Sequence, residues 1–102
     1  KYTTAWNGIS AEKKLIIFIS NDKQGLMDFD DNVLVEPKYF EIYGLKNPLL
    51  TVRVGEKGNY KEGLISTDGK VVLPAIYKRI SWCSNNRIIC CADGYCEFMQ
   101  II

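Results

Sequence analysis

Residues 23–42 read KQGLMDFDDNVLVEPKYFEI, and residues 61–80 read KEGLISTDGKVVLPAIYKRI, an offset of 38. Seven of the twenty aligned positions are identical: Lys23/Lys61, Gly25/Gly63, Leu26/Leu64, Asp30/Asp68, Val33/Val71, Tyr39/Tyr77 and Ile42/Ile80. At ordinary residue frequencies about one position in twenty would agree by chance, so this is an internal repeat. Met27/Ile65, Leu34/Val72 and Val35/Leu73 agree conservatively in the same frame. Upstream, the opening KYTTAW matches KYFEIY at residues 38–43 and reads as the tail of an earlier unit. Downstream the pattern returns shortened, with residues 87–92 answering to 50–54 and residues 95–102 to 61–64. One domain, residues 1–102, thus divides into a tail at 1–6, units at about 7–43 and 44–82, and a truncated unit at 83–102. This reads as a slice of a longer array, with a complete short protein as the alternative.

Within each unit the apolar residues form short runs bounded by turn chemistry, rich in β-branched and aromatic types and without a helical period. Residues 15–19, 25–29 and 33–35 make one set of strands; residues 50–54, 63–66 and 71–73 make the other. Asp68-Gly69 between the last two is a hairpin signal, because Gly accepts positive φ. Pro37 and Pro74 are expected to end their strands, since proline donates no ladder bond. A helical turn at residues 11–14 is the one helical signal. Three strands cannot bury an apolar face alone, so copies must stack or close on one another. The expected fold is all-β, an antiparallel meander of about eight short strands in repeats of about 38 residues. A small barrel, packed sheets and a slice of a β-repeat array all satisfy it.

The 102 residues are 47% hydrophobic and 25% charged, which suits one modest core and excludes disorder. No apolar run approaches the roughly 20 residues of a membrane-spanning helix, so a soluble chain is expected. Thirteen Lys and Arg against twelve Asp and Glu give a net charge of +1, no basis for attraction to nucleic acid. The absence of His removes the commonest general base and metal ligand. Charge is unevenly placed: residues 22–41 hold six acids and two bases, net −4, whereas residues 53–87 hold seven bases and three acids, net +4. Solvated turns account for this; the functional alternative is a pair of oppositely charged rims that select a protein partner. Four cysteines within residues 83–96 and no Asn-x-Ser/Thr acceptor lean towards a reducing, cytoplasmic compartment.

The spacing of Lys23, Gly25, Leu26, Asp28, Val33, Pro37, Tyr39 and Ile42, echoed at Lys61, Gly63, Leu64, Gly69, Val71, Pro74, Tyr77 and Ile80, resembles the bacterial WG (KWG) repeat family. Units of that family look like KWGLIDxxGxxVIPPxYDxI, and the likeness covers most of the chain. It departs at the namesake position, where Gln24 and Glu62 replace Trp, and Asp31 stands in the place of the turn glycine. The resemblance implies a tandem β-repeat scaffold, usually part of a larger protein, serving in interaction. It brings no family-wide catalytic residue.

Asp28, Asp30 and Asn32 have the spacing that begins a calcium loop, yet Val33 stands where Gly is needed and Tyr39 where the bidentate Glu belongs. They read as an acidic turn. Cys83, Cys90, Cys91 and Cys96 lack any CxxC, and adjacent strand residues 90 and 91 point to opposite faces, which disfavours zinc. A two-residue loop at Asp93-Gly94 would place Cys91 directly opposite Cys96, within disulfide reach; otherwise both are small apolar fillers. Gly55 and Gly58 lack the following helix of a phosphate cradle. No base stands beside a nucleophile, so a non-enzyme without cofactor or metal is expected. Tyr2, Tyr39 and Tyr77 recur in phase, as do Trp6 and Tyr43, with Trp82 one residue out of step. These aromatics are either core or exposed platforms. The expected function is a protein-interaction or scaffold domain; the alternative is a carbohydrate or cell-envelope binding module using Trp6, Tyr43 and Trp82.

Overall fold

Alternating β-branched and aromatic residues suit a pleated surface with one buried side. In the computed structural model, which describes residues 5–45, 47–56, 58–84 and 86–100, they form strands throughout. The described residues contain eleven strands and no helix. Sheet 1 is β1 (Ala5–Ser10), β2 (Leu15–Ser20), β3 (Lys23–Asp28) and β4 (Val33–Tyr39). Sheet 2 is β5 (Glu41–Tyr43), β6 (Leu50–Glu56), β7 (Asn59–Ile65) and β8 (Val71–Tyr77). Sheet 3 is β9 (Arg79–Ser84), β10 (Arg87–Ala92) and β11 (Tyr95–Gln100). Every pairing is antiparallel and joins consecutive strands.

Eleven strands stand in place of about eight, because the segment after each repeated tyrosine, Tyr39 and Tyr77, turns back and pairs, giving four strands per full sheet. Pro37 and Pro74 do not end their strands. β4 and β8 are edge strands, where a missing donor costs no ladder bond, and both continue to Tyr39 and Tyr77 through a register shift. Residues 11–14 form a turn rather than a helical one, with Lys14 at φ 57°. A left-handed residue other than glycine is strained, so Lys14→Gly is expected to gain about 0.5 kcal/mol after the added chain entropy. Urea unfolding of the two proteins checks it.

The copies have one shape, bond for bond. The Asp28 N–H donates to the Asn32 carbonyl at 3.0 Å, and the Ser66 N–H to the Lys70 carbonyl at 2.8 Å. Crossing from sheet to sheet takes one residue each time: the Phe40 N–H donates to the Arg53 carbonyl at 2.8 Å, the Lys78 N–H to the Cys91 carbonyl at 2.7 Å. Asp31 (φ 66°) holds the left-handed turn position that Gly69 (φ 94°) holds in the second copy. A Cβ on Gly25 would lie 2.6 Å from the Val35 carbonyl oxygen, and one on Gly63 equally 2.6 Å from that of Leu73. Both glycines let the shifted edge strand approach.

Sheet 2 lies between the other two. Leu50, Val52 and Ile65 meet Leu15, Ile17, Leu26, Val35, Tyr39 and Ile42 in one core. Leu64, next to Ile65 in the chain, points the other way and meets Tyr77, Ile80, Ile88 and Cys90 in a second. Each such buried side chain contributes about 1.5–3 kcal/mol, so the sheets are held by each other's faces. Packed sheets, not a closed barrel, are the outcome.

Candidate functional site

Where the family-like pattern has Trp, this chain has hydrogen-bond acceptors aimed at the next sheet. The Ile42 N–H donates to Gln24 Oε1 and the Ile80 N–H to Glu62 Oε1, both at 2.8 Å. Glu62 is 3% exposed, and a carboxylate so buried must be paired and bonded. Its Oε2 accepts from Arg53 Nε at 2.8 Å and from the Tyr43 hydroxyl at 2.9 Å. Arg53 Nη1 also reaches Glu41 at 2.9 Å, and its guanidinium lies 4.9 Å and 5.0 Å from the ring centres of Tyr43 and Tyr60. Burial, then the Glu62 bond and charge, push the Tyr43 hydroxyl up to about 12. Burial works against the Arg53 cation, but Glu62, Tyr43 and Glu41 outweigh it and raise its pKa. The carboxylate oxygens are occupied by protein donors, so this cluster ties sheet 2 to sheet 3.

Tyr43 also makes stability pH-dependent. Its folded pKa exceeds the ordinary value of 10.0, so its contribution is complete below pH 10 and is lost as pH rises towards about 12. Tyr43→Phe is expected to be less stable at pH 8 and to show a shallower loss between pH 10 and 12, read from thermal unfolding at each pH.

The same row differs in each sheet. Ile19 faces Gln24 in sheet 1, Arg53 faces Glu62 in sheet 2, and Cys91 faces Cys96 in sheet 3. Cys91 and Cys96 form a disulfide with a Cα separation of 4.0 Å. Bonds of this kind persist most often in oxidising surroundings. Cys90 is buried on the opposite face beside Met99, and burial raises its thiol pKa; Cys83 is exposed.

The loops that follow β1 and β5 and the last residues of β9 line an open groove. A cavity of about 710 Å³ is lined by Glu12, Lys13, Asn47, Pro48, Trp82, Cys83 and Ser84. A second, of about 800 Å³, shares Glu12 and Asn47 and extends along Gly8–Ala11, Gly44 and Leu45. Lys13 Nζ donates to the Asn47 carbonyl and joins two of the loops; burial lowers its pKa, opposed by Glu12. Trp82 is half-buried against the second core, and its indole Nε1 is buried with no partner among the described residues.

The aromatic candidates therefore separate. Tyr39 and Tyr77 are core residues. Tyr43 belongs to the Glu62 cluster, and Trp82 lines the groove. Trp6 pairs with Phe18 as Ile42 pairs with Val52 and Ile80 with Cys90, so by backbone register it is in phase with Ile42 rather than Tyr43. The Trp6 side chain and all of Tyr2 lie outside the described residues. Asp28 spends its oxygens on its own turn, accepting from the Asp30 and Asn32 N–H groups and from Asn32 Nδ2, all at 2.9 Å. The Asn32 bonds hold its pKa below the usual carboxylate value. Glu12, Lys13, Asn47 and Pro48 were not singled out by sequence. Only the equivalence of residues 11–14 with the loop at residues 44–49 could have brought them together.

Among known families, residues 63–96 match the WG containing repeat. No curated protein and no solved structure matches the chain. The matched stretch runs from Gly63, whose missing side chain admits the shifted edge strand, through the crossing at Lys78 to Cys96 in the next sheet. Over those residues, a third of the chain, the sequence is similar to a WG repeat.

Proposed function

We propose that this WG-repeat β module is a non-catalytic interaction domain that holds a protein partner in the groove at the loop end. The carrying observation is that loops from two sheets and the end of β9 in the third converge there around Trp82, with a carboxylate and an amine at the wall. A half-buried aromatic beside placed polar groups is the usual make-up of a binding surface. The strongly engaged acids elsewhere, Asp28, Asp68 and Asp93, serve turns or surface pairs, which supports a non-catalytic reading.

The test is selection of linear peptides from a displayed library, followed by titration of one chosen peptide. Binding weakened about tenfold by Trp82→Ala, in a variant whose amide spectrum shows it still folded at the assay temperature, and by the charge reversal Glu12→Lys, supports the proposal. The second reading is carbohydrate, favoured by the Trp82 ring in the groove wall. Saturable binding to a glycan array or to sheared peptidoglycan, lost in Trp82→Ala, with no peptide recovered, would replace the first reading by the second.

A further inference from the structure

The two junctions between sheets are alike in backbone and unlike in side chains. Phe40 and Lys78 make the equivalent crossings, followed by Glu41 and Arg79. At the second junction Lys78 Nζ pairs with Asp93, in the turn between β10 and β11, at 2.9 Å, so an ion pair links crossing and hairpin. At the first, rings take that place: the Phe40 and Tyr60 ring centres lie 4.9 Å apart, the planes tilted by 38°. Tyr60 reaches Phe40 because the hairpin of β6 and β7 is longer than the other two. Its ladder continues past Val54 and Lys61 to pair Gly55 with Tyr60 and Glu56 with Asn59. In sheets 1 and 3 the equivalent pairs, Ser20 with Lys23 and Ala92 with Tyr95, are the last before the turn.

Between these rings and sheet 1 lies a recess of about 570 Å³, lined by Ile19, Asp22, Gln24, Phe40, Glu41 and Tyr60. All six belong to the two four-stranded sheets, the turn between β2 and β3 or the crossing. Asp22 holds a left-handed turn position (φ 64°) that glycine fills in the third hairpin (Gly94, φ 85°). Glycine is the cheaper residue there, so the turn alone does not call for a carboxylate. Asp22 is exposed and makes no ion pair among the described residues. Counting the lining and the residues bonded to it, the carboxylates of Asp22, Glu41 and Glu62 stand against one guanidinium, that of Arg53, an excess of two negative charges. Ring faces beside carboxylates select a cation. Arg53 shows which kind: its guanidinium bonds Glu41 and Glu62 while lying 5.0 Å from the Tyr60 ring centre. A flat, weakly hydrated guanidinium can stack and pair at once, where a lysine ammonium is a strongly hydrated point charge.

We propose that this recess is a second binding site, which takes the guanidinium of an arginine carried on a partner protein. The cation meets the Asp22 carboxylate and the Glu41 oxygen not bonded to Arg53, and its stem lies along Phe40 and Tyr60. The site is separate from the Trp82 groove, so either can fail without the other.

The probe is the peptide acetyl-Gly-Ser-Arg-Ser-Gly-amide, titrated into the isotope-labelled full chain while backbone amide signals are followed. Saturable shifts at Asp22, Glu41 and Tyr60, weakened about tenfold when citrulline, the uncharged isostere, replaces the arginine, support the proposal. Asp22→Asn should weaken them as much, and so should Asp22→Gly, which suits the left-handed turn and guards against loss of the fold. An absence of shifts at millimolar peptide, equal affinity for the citrulline peptide, or unchanged binding in both variants overturns it. Shifts confined to Trp82 and Lys13 also overturn it, while leaving the groove reading standing. Free L-arginine, whose own carboxylate the acidic lining repels, should bind more weakly than the peptide; tighter binding would overturn the protein source. Self-association of the chain that is lost in Asp22→Asn, with no peptide bound, would assign the recess to an arginine of a second copy and overturn the partner reading.

Discussion

Glu62→Ala is expected to lower the free energy of unfolding by about 3–5 kcal/mol, the range for removing one partner from a buried ion pair. Three donors lose their acceptor together: the Ile80 N–H, Arg53 Nε and the Tyr43 hydroxyl. Arg53 keeps Glu41 as a partner, which limits the loss at its exposed side. A domain of this size is stable by only about 5–15 kcal/mol, so the variant should unfold at markedly lower urea. Glu62→Gln separates the causes. It can still accept from Ile80, as Gln24 does from Ile42, and is expected to cost less than half as much. Equal losses for both variants would mean that charge alone matters and that the bond between sheets contributes little.

The second large effect is expected at Gly63, where alanine should cost about 3 kcal/mol by forcing backbone apart. Its Cβ would meet the Leu73 oxygen at 2.6 Å, the Ala75 nitrogen at 2.8 Å and the Ala75 Cα at 2.9 Å, none of them a side chain that could swing aside. Gly58→Ala is the control. Gly58 has φ 87° with nothing within 4 Å of its added Cβ, so it should show only the left-handed cost of about 1–2 kcal/mol. A melting temperature for Gly63→Ala no lower than that of Gly58→Ala would refute the packing account.

The repeat and the all-β class were legible because Gly25/Gly63 and Tyr39/Tyr77 are constrained by contacts that both full copies make. The strand count was not, because Glu41–Tyr43 is three residues long and takes its order from β6 rather than from its own pattern. Pro37 and Pro74 misled for a related reason: whether a strand tolerates proline depends on its being an edge, which is a property of the sheet. Gln24 and Glu62 looked like lost tryptophans. Their role is visible only when the next sheet's N–H groups are in place 18 residues on. In the groove, Glu12 and Asn47 are brought together by the stacking of sheets, and no local spacing encodes that.

The single-residue crossings at Phe40 and Lys78 bear on how the chain reaches this shape. No strand waits for a distant segment, since each ladder closes between neighbours in the chain. The search is therefore local, and the entropy of closing long loops, which slows most proteins made only of strands, is largely avoided. The molecule can assemble in order from one end, each hairpin finding its template already laid down by the last.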